Sequence, residues 1–115
     1  SLHDALPIFD ATIQDYLSIQ EAFPSKQVIF TELGWATQTN SPLMLHEGSL
    51  ENQKTYLSKV TQWGKDNEIL MFLFEAFDEP WKGSDDPNEP EKHWGIFYED
   101  RTPKLWQKEK SSFGL

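Results

Sequence analysis

An α/β fold with parallel strands is predicted by three features of this 115-residue chain. Residues 28–30 (Val-Ile-Phe) and 69–74 (Ile-Leu-Met-Phe-Leu-Phe) are short apolar runs bounded by turn residues, as buried strands are. Between them lies an apolar pattern of helical period, which supplies the crossover that parallel strands require. Carboxylates follow each run: Glu32 after the first, and Glu75, Asp78 and Glu79 after the second. An unpaired carboxylate is costly to bury, so these acids mark where the strands leave the sheet. In α/β barrels that end of the strands carries the chemistry.

The elements follow in order. Ser1-Leu2-His3-Asp4-Ala5-Leu6-Pro7-Ile8 resembles one reading frame of a short-read sequencing adapter. It is set aside as foreign, which makes Phe9 the point of entry into a longer protein. Phe9, Ile13, Tyr16, Leu17 and Phe23 recur at helical spacing, and Pro24-Ser25-Lys26 ends that helix. A strand over residues 27–32 comes next. A polar loop runs from Trp35 to Gly48, long enough to suggest a functional role. Ser49 is placed to cap a helix reaching Asp66, with Leu50, Tyr56, Leu57, Val60 and Trp63 on its buried face. The second strand, residues 69–74, is apolar throughout, which suits a parallel strand buried on both faces. An acidic, proline-broken loop (residues 85–91), an apolar segment (94–98) and a turn at Asp100-Arg101-Thr102-Pro103 lead into a final helix ending near Lys110.

Composition narrows the function. Aromatics at 14%, including five Trp and eight Phe, can supply a core, so disorder is not expected. A net charge of −9 argues against nucleic acid and anionic membrane as partners. No apolar run approaches the ~20 residues of a membrane span. With no cysteine there is no disulfide and no thiolate–metal site. His46 and His93 are too far apart to suggest zinc, and the acidic loop lacks the glycine and alternating ligands of a calcium loop. No cofactor and no metal are expected.

Two consecutive parallel strands end side by side. That would bring Glu32 close to Asp78, Glu79 and Lys82, with Trp35, Trp81 and Trp94 near in sequence. Indole faces stack on sugar rings, while carboxylates and ammonium groups bond hydroxyls. Carboxylates in an aromatic-lined cleft are the equipment for breaking glycosidic bonds. Each Trp taken singly is equally a packing residue. Glu75 reads either as a partner behind the site or as a solvated strand-end acid, and the former is favoured.

Four segments then carry a resemblance. Thr31-Glu32-Leu33-Gly34-Trp35, the helical stretch from Asn52 to Leu57, the run from Phe74 to Lys82, and Glu91-Lys92-His93-Trp94-Gly95-Ile96-Phe97 resemble, in order, motifs of glycoside hydrolase family 17. This is the family of β-1,3-glucanases and β-glucan transferases. The resemblance implies a (β/α)8 barrel of which residues 9–115 are the C-terminal portion, its last two β/α units. It implies a retaining mechanism with Glu32 as nucleophile. It also implies a glucan-binding cleft drawn from Trp35, Asp78, Glu79, Trp81, Lys82, Glu91 and Trp94, in which a nearby Lys keeps Glu32 ionised. A secreted or cell-envelope location is implied too. The second carboxyl group that retention requires, about 5 Å from the first, is absent. Asn88-Glu89, the only Asn-Glu pair, lies between prolines and is rejected. The alternative from a different class is a non-catalytic carbohydrate-binding protein using the three Trp faces. Two barrel strands alone would leave open sheet edges, so the isolated chain is expected to be inactive and prone to aggregate.

Overall fold

The computed structural model describes residues 2–40 and 46–106, with side-chain surroundings defined from Ala5 onward. Two helices alternate with two strands: α1 (Leu2–Ala22), β1 (Phe30–Leu33), α2 (Leu50–Asp66) and β2 (Met71–Leu73). The strands pair in parallel, Phe30 opposite Met71 and Leu33 opposite Leu73, with an irregularity in register between them. A short 3-10 turn, Pro90–Lys92, follows the acidic loop. The helical end predicted near Lys110 and the middle of the 35–48 loop lie outside the described residues.

α1 starts earlier than Phe9. Ala5 is fully buried in the core and Ile8 packs against it, so the segment set aside in the sequence is packed here as helix. The helix ends at Ala22, where Phe23 N–H still donates to Ile19 and Pro24 opens a turn. α2 starts as expected: Ser49 is extended and its hydroxyl accepts from Asn52 N–H at 2.9 Å. At its far end Asn67 N–H bonds Trp63 carbonyl, and Glu68 turns the chain with φ 55°. Ile69 N–H then returns to Gly64 carbonyl, which launches β2.

The core forms between the two helices and one face of the strand pair. Ala5, Leu33, Trp35, Tyr56, Leu57, Val60, Ile96 and Trp106 are its buried members. Tyr16 of α1 sets its ring edge-on to Trp63 of α2, and the buried Tyr56 hydroxyl meets Thr12 Oγ1 at 2.7 Å. Burial raises the pKa of Tyr56, so it stays a neutral hydrogen-bonding group. Two expectations about burial need correction. β2 is covered on one face only: Phe72 is 54% exposed, while Met71 and Leu73 are partly buried. A continuous apolar strand needs neighbours on both faces, and among the described residues the sheet has two strands. On α2 the buried face also holds Asn52 and Gln53, two polar residues with no exposure at all.

Candidate active site

The two strands end where the acids are. β1 finishes in Glu32 and Leu33, and Gly34 then passes so close to β2 that an added Cβ would collide with Phe74 carbonyl oxygen. Only glycine fits that approach. Phe74 N–H donates to Leu33 carbonyl at 2.6 Å, which holds the two strand ends together. Beyond Phe74 the chain pairs with the 94–97 segment. Glu75 N–H donates to Trp94, Ile96 N–H to Glu75, and Phe97 N–H to Ala76. The Phe74–Glu75 peptide is cis.

A cavity of about 360 Å3 opens at this junction, lined by Glu32, Leu33, Gly34, Tyr56, Phe74, Glu91 and Trp94. Glu32 and Glu91 present exposed carboxylates there. Trp94 forms part of the wall, set against Phe74 at 6.2 Å between ring centres. Its indole N–H is shielded from solvent and has no hydrogen-bond partner. A buried donor without a partner is costly, so this N–H suits a ligand oxygen.

A second cluster flanks the cavity. Lys82 contacts the Glu79 carboxylate directly and lies 3.7 Å from Glu75 Oε2 and 5.0 Å from the centre of the Phe74 ring. The hydrogen bond with Lys82 is the first cause lowering the pKa of Glu79, and the same contact raises that of Lys82. Glu75 moves the other way, up to about 7, first through burial and then through hydrogen bonding and repulsion from Glu79. The ammonium expected to hold Glu32 ionised is therefore engaged by Glu79 and Glu75. Lys92 fixes this loop from beneath: its buried Nζ donates to the carbonyls of Pro80 at 2.9 Å and Lys82 at 2.7 Å. Trp81 is 69% exposed at the rim of an adjoining hollow lined by Glu75, Glu79 and Arg101.

Two residues expected to touch sugar are buried instead. Trp35 is 6% exposed, its ring packs on Tyr56, and its indole N–H donates to Glu47 carbonyl at 2.9 Å. Asp78 Oδ1 accepts from Gly95 N–H at 2.8 Å and from Lys104 Nζ at 3.0 Å. Lys104, with no exposed surface, also donates to Thr37 Oγ1 at 3.0 Å. These side chains tie together the loops that follow the strand ends. Gln53 does the same. Its amide donates to the carbonyls of Trp35 and Gly95 and accepts from Trp106 Nε1. A polarity pattern on α2 gives no signal for Gln53, and Lys104 reads as a surface residue until its three-dimensional partners are known. Among the described residues, no group of three or more His, Asp and Glu could hold a metal.

A family model described as the BtgE/BtgC glycoside hydrolase domain matches residues 4–95. The chain belongs to this family, as a segment of glycoside hydrolase family 17. Among curated relatives, a glucan 1,3-beta-glucosidase of Arthroderma benhamiae is 33% identical over 70% of this chain and 28% of its own. One of Candida albicans is 30% identical over 84% of this chain and 32% of its own. The crystal structure of the family 17 beta-1,3-glucanosyltransferase from Rhizomucor miehei superposes with a TM-score of 0.74 at 30% identity, over 84% of this chain and 34% of that one. An active-site mutant of the Rhizomucor enzyme, solved with laminaritriose, superposes equally well. The structural neighbours are TIM-barrel enzymes, and this chain is an α/β segment spanning about a third of their length.

Proposed function

We propose that this chain is the C-terminal portion, the last two β/α units, of a barrel that cleaves or transfers β-1,3-linked glucan with retention of configuration. The observation that carries the reading is the shared cavity of Glu32, Glu91 and Trp94 at the end of a parallel strand pair. In this reading the Glu32 carboxylate attacks the anomeric carbon as the glycosidic C–O bond breaks, forming a glycosyl-enzyme ester. Glu79, Lys82 and Glu91 bond sugar hydroxyls, the Trp94 N–H meets a ring substituent, and Trp81 offers an exposed face for stacking. Trp35 and Asp78 support these groups without touching sugar. The leaving oxygen must receive a proton from a second carboxylic acid about 5 Å from Glu32. That acid is supplied by another part of the full-length barrel. Water or a second sugar then resolves the ester, giving hydrolysis or transglycosylation. The substrates named for the curated relatives and the laminaritriose bound to the Rhizomucor mutant support β-1,3-glucan as the ligand class.

The test is laminarin turnover by the full-length protein. Glu32→Gln is expected to lower kcat by at least about a thousandfold while leaving the fold intact. A fluorinated glucoside that traps the intermediate should add its mass to the peptide containing Glu32. Mass on any other residue overturns the assignment. Laminarin hydrolysis by the isolated 115-residue chain, lost in Glu32→Gln, would refute the need for a partner acid. Sequencing the parent gene across the codons for Ile8 and Phe9 tests whether the first eight residues are foreign.

A further inference from the structure

Glu75 is the acid at the end of β2 that this mechanism leaves without a task. Its side chain is 15% exposed, and its Oε2 has no regular hydrogen-bond partner. Its backbone is pinned on both sides, its N–H donating to Trp94 carbonyl at 3.1 Å and its carbonyl accepting from Ile96 N–H at 2.8 Å, which fixes where the side chain leaves the strand end. Two carboxylates therefore share one ammonium, Lys82, in a confined place. Like charges that close cannot both ionise cheaply, and a proton settles on the more buried acid. The other charged groups around the cluster sharpen this. Asp78 and Glu91 add negative charge to it, while the Lys104 ammonium is held by Asp78.

We propose that Glu75 is a positioning residue for the glucan-binding cleft: it carries a proton that it shares with Glu79, and so leaves the Lys82 ammonium on Glu79, set to meet a sugar hydroxyl. Ionised Glu75 competes for that ammonium and draws it away from Glu79, loosening the pair that contacts substrate. The shift of Glu75 to about 7 places this change near neutrality. The identity of the ligand rests on the glycosidase reading above; the proton-sharing cluster does not.

Two measurements on the full-length protein test the proposal. The first is a carboxyl NMR titration of the ligand-free protein with 13C-labelled glutamate. A Glu75 midpoint near 7 that drops in Glu79→Gln is expected, and a midpoint near the ordinary 4.5 overturns the proposal whatever the enzyme's activity. The second is the pH profile of KM and kcat on laminaritriose. KM should rise severalfold between about pH 6 and pH 8.5, more than kcat changes. Glu75→Gln, which cannot ionise and keeps a donor facing Glu79, should hold the acid-side KM across the range and abolish the rise, and Glu75→Ala, which removes the competing carboxylate, should abolish the rise as well. A rise that persists in Glu75→Gln overturns the proposal. If the protein turns over no β-glucan, the substrate reading fails while the titration still decides the cluster.

Discussion

Two lysine–carboxylate pairs lie close together in this molecule and have opposite characters. Lys104 and Asp78 are closed in. Lys104 has no exposed surface, and the pair bonds Thr37, the Gly95 amide and each other at 3.0 Å, with His93 Nδ1 3.8 Å from the second Asp78 oxygen. Lys82 and Glu79 are open. They keep 34% and 24% side-chain exposure and share their site with a second carboxylate, that of Glu75. A buried polar group fully paired within the protein is part of the scaffold. One left partly open to solvent can still take a ligand. The first pair holds the 94–104 segment against the strand ends, and the second lies beside the cavity, with Glu79 on the wall of the adjoining hollow.

The sharpest way to break this comparison is to remove each lysine in turn. Lys104→Met strands the Asp78 carboxylate in the interior, and loss of one member of a buried pair costs about 3–5 kcal/mol. Urea unfolding of the full-length protein, or loss of soluble expression, would register it. An unchanged midpoint would mean that the Lys104–Asp78 pair is not part of the scaffold.

A smaller loss is expected at Gln53, the neutral member of the closed region. Gln53→Leu keeps the volume but leaves the carbonyls of Trp35 and Gly95 and the Trp106 indole N–H without their partner. Stranded buried groups cost about 1–3 kcal/mol each, and partial relaxation brings the expected total to about 2–3 kcal/mol. Gln53→Glu should be as damaging, because a carboxylate cannot donate to either carbonyl. If Gln53→Leu matches the parent in urea, these loops are held by packing alone.

Hydrophobic period made the alternation of helix and strand legible in the sequence, down to the Ser49 cap and the exit of both strands into acids. Such period assigns polar residues to the surface. It gave no signal for Gln53 or Lys104, and strand-end position read Asp78 as a cleft residue, because their partners lie 17 to 67 positions away along the chain. It also read the 69–74 run as covered on both faces, because an apolar run carries no information about whether its neighbours are present. Glu32 was read from strand-end position and motif together and Glu91 from motif alone, and one cavity brings both together with Trp94. Which acid Lys82 would face was not, since that depends on how the 75–82 segment folds back on itself.

The mildest prediction discriminates best between the two regions. Lys82→Met removes a cation from a partly exposed pair, where solvent and salt weaken the attraction. The unfolding midpoint should stay close to that of the unmodified protein, a small fraction of the Lys104→Met loss. Titration should move instead. Lys82 is the first cause lowering Glu79 and also lowers Glu75, so its loss should let Glu79 rise and push Glu75 higher still. A group whose pKa is raised on folding makes stability fall as pH climbs from the unfolded value to the folded one. For Glu75 that window runs from 4.5 to about 7 in the unmodified protein. In Lys82→Met the decline should extend to higher pH, and Glu79 should add to it where its own pKa comes to exceed 4.5. Melting curves recorded across this range would separate the two pairs. A Lys82→Met loss as large as that of Lys104→Met, with no change in pH dependence, would make the open pair a second piece of scaffold and remove the case for a ligand there.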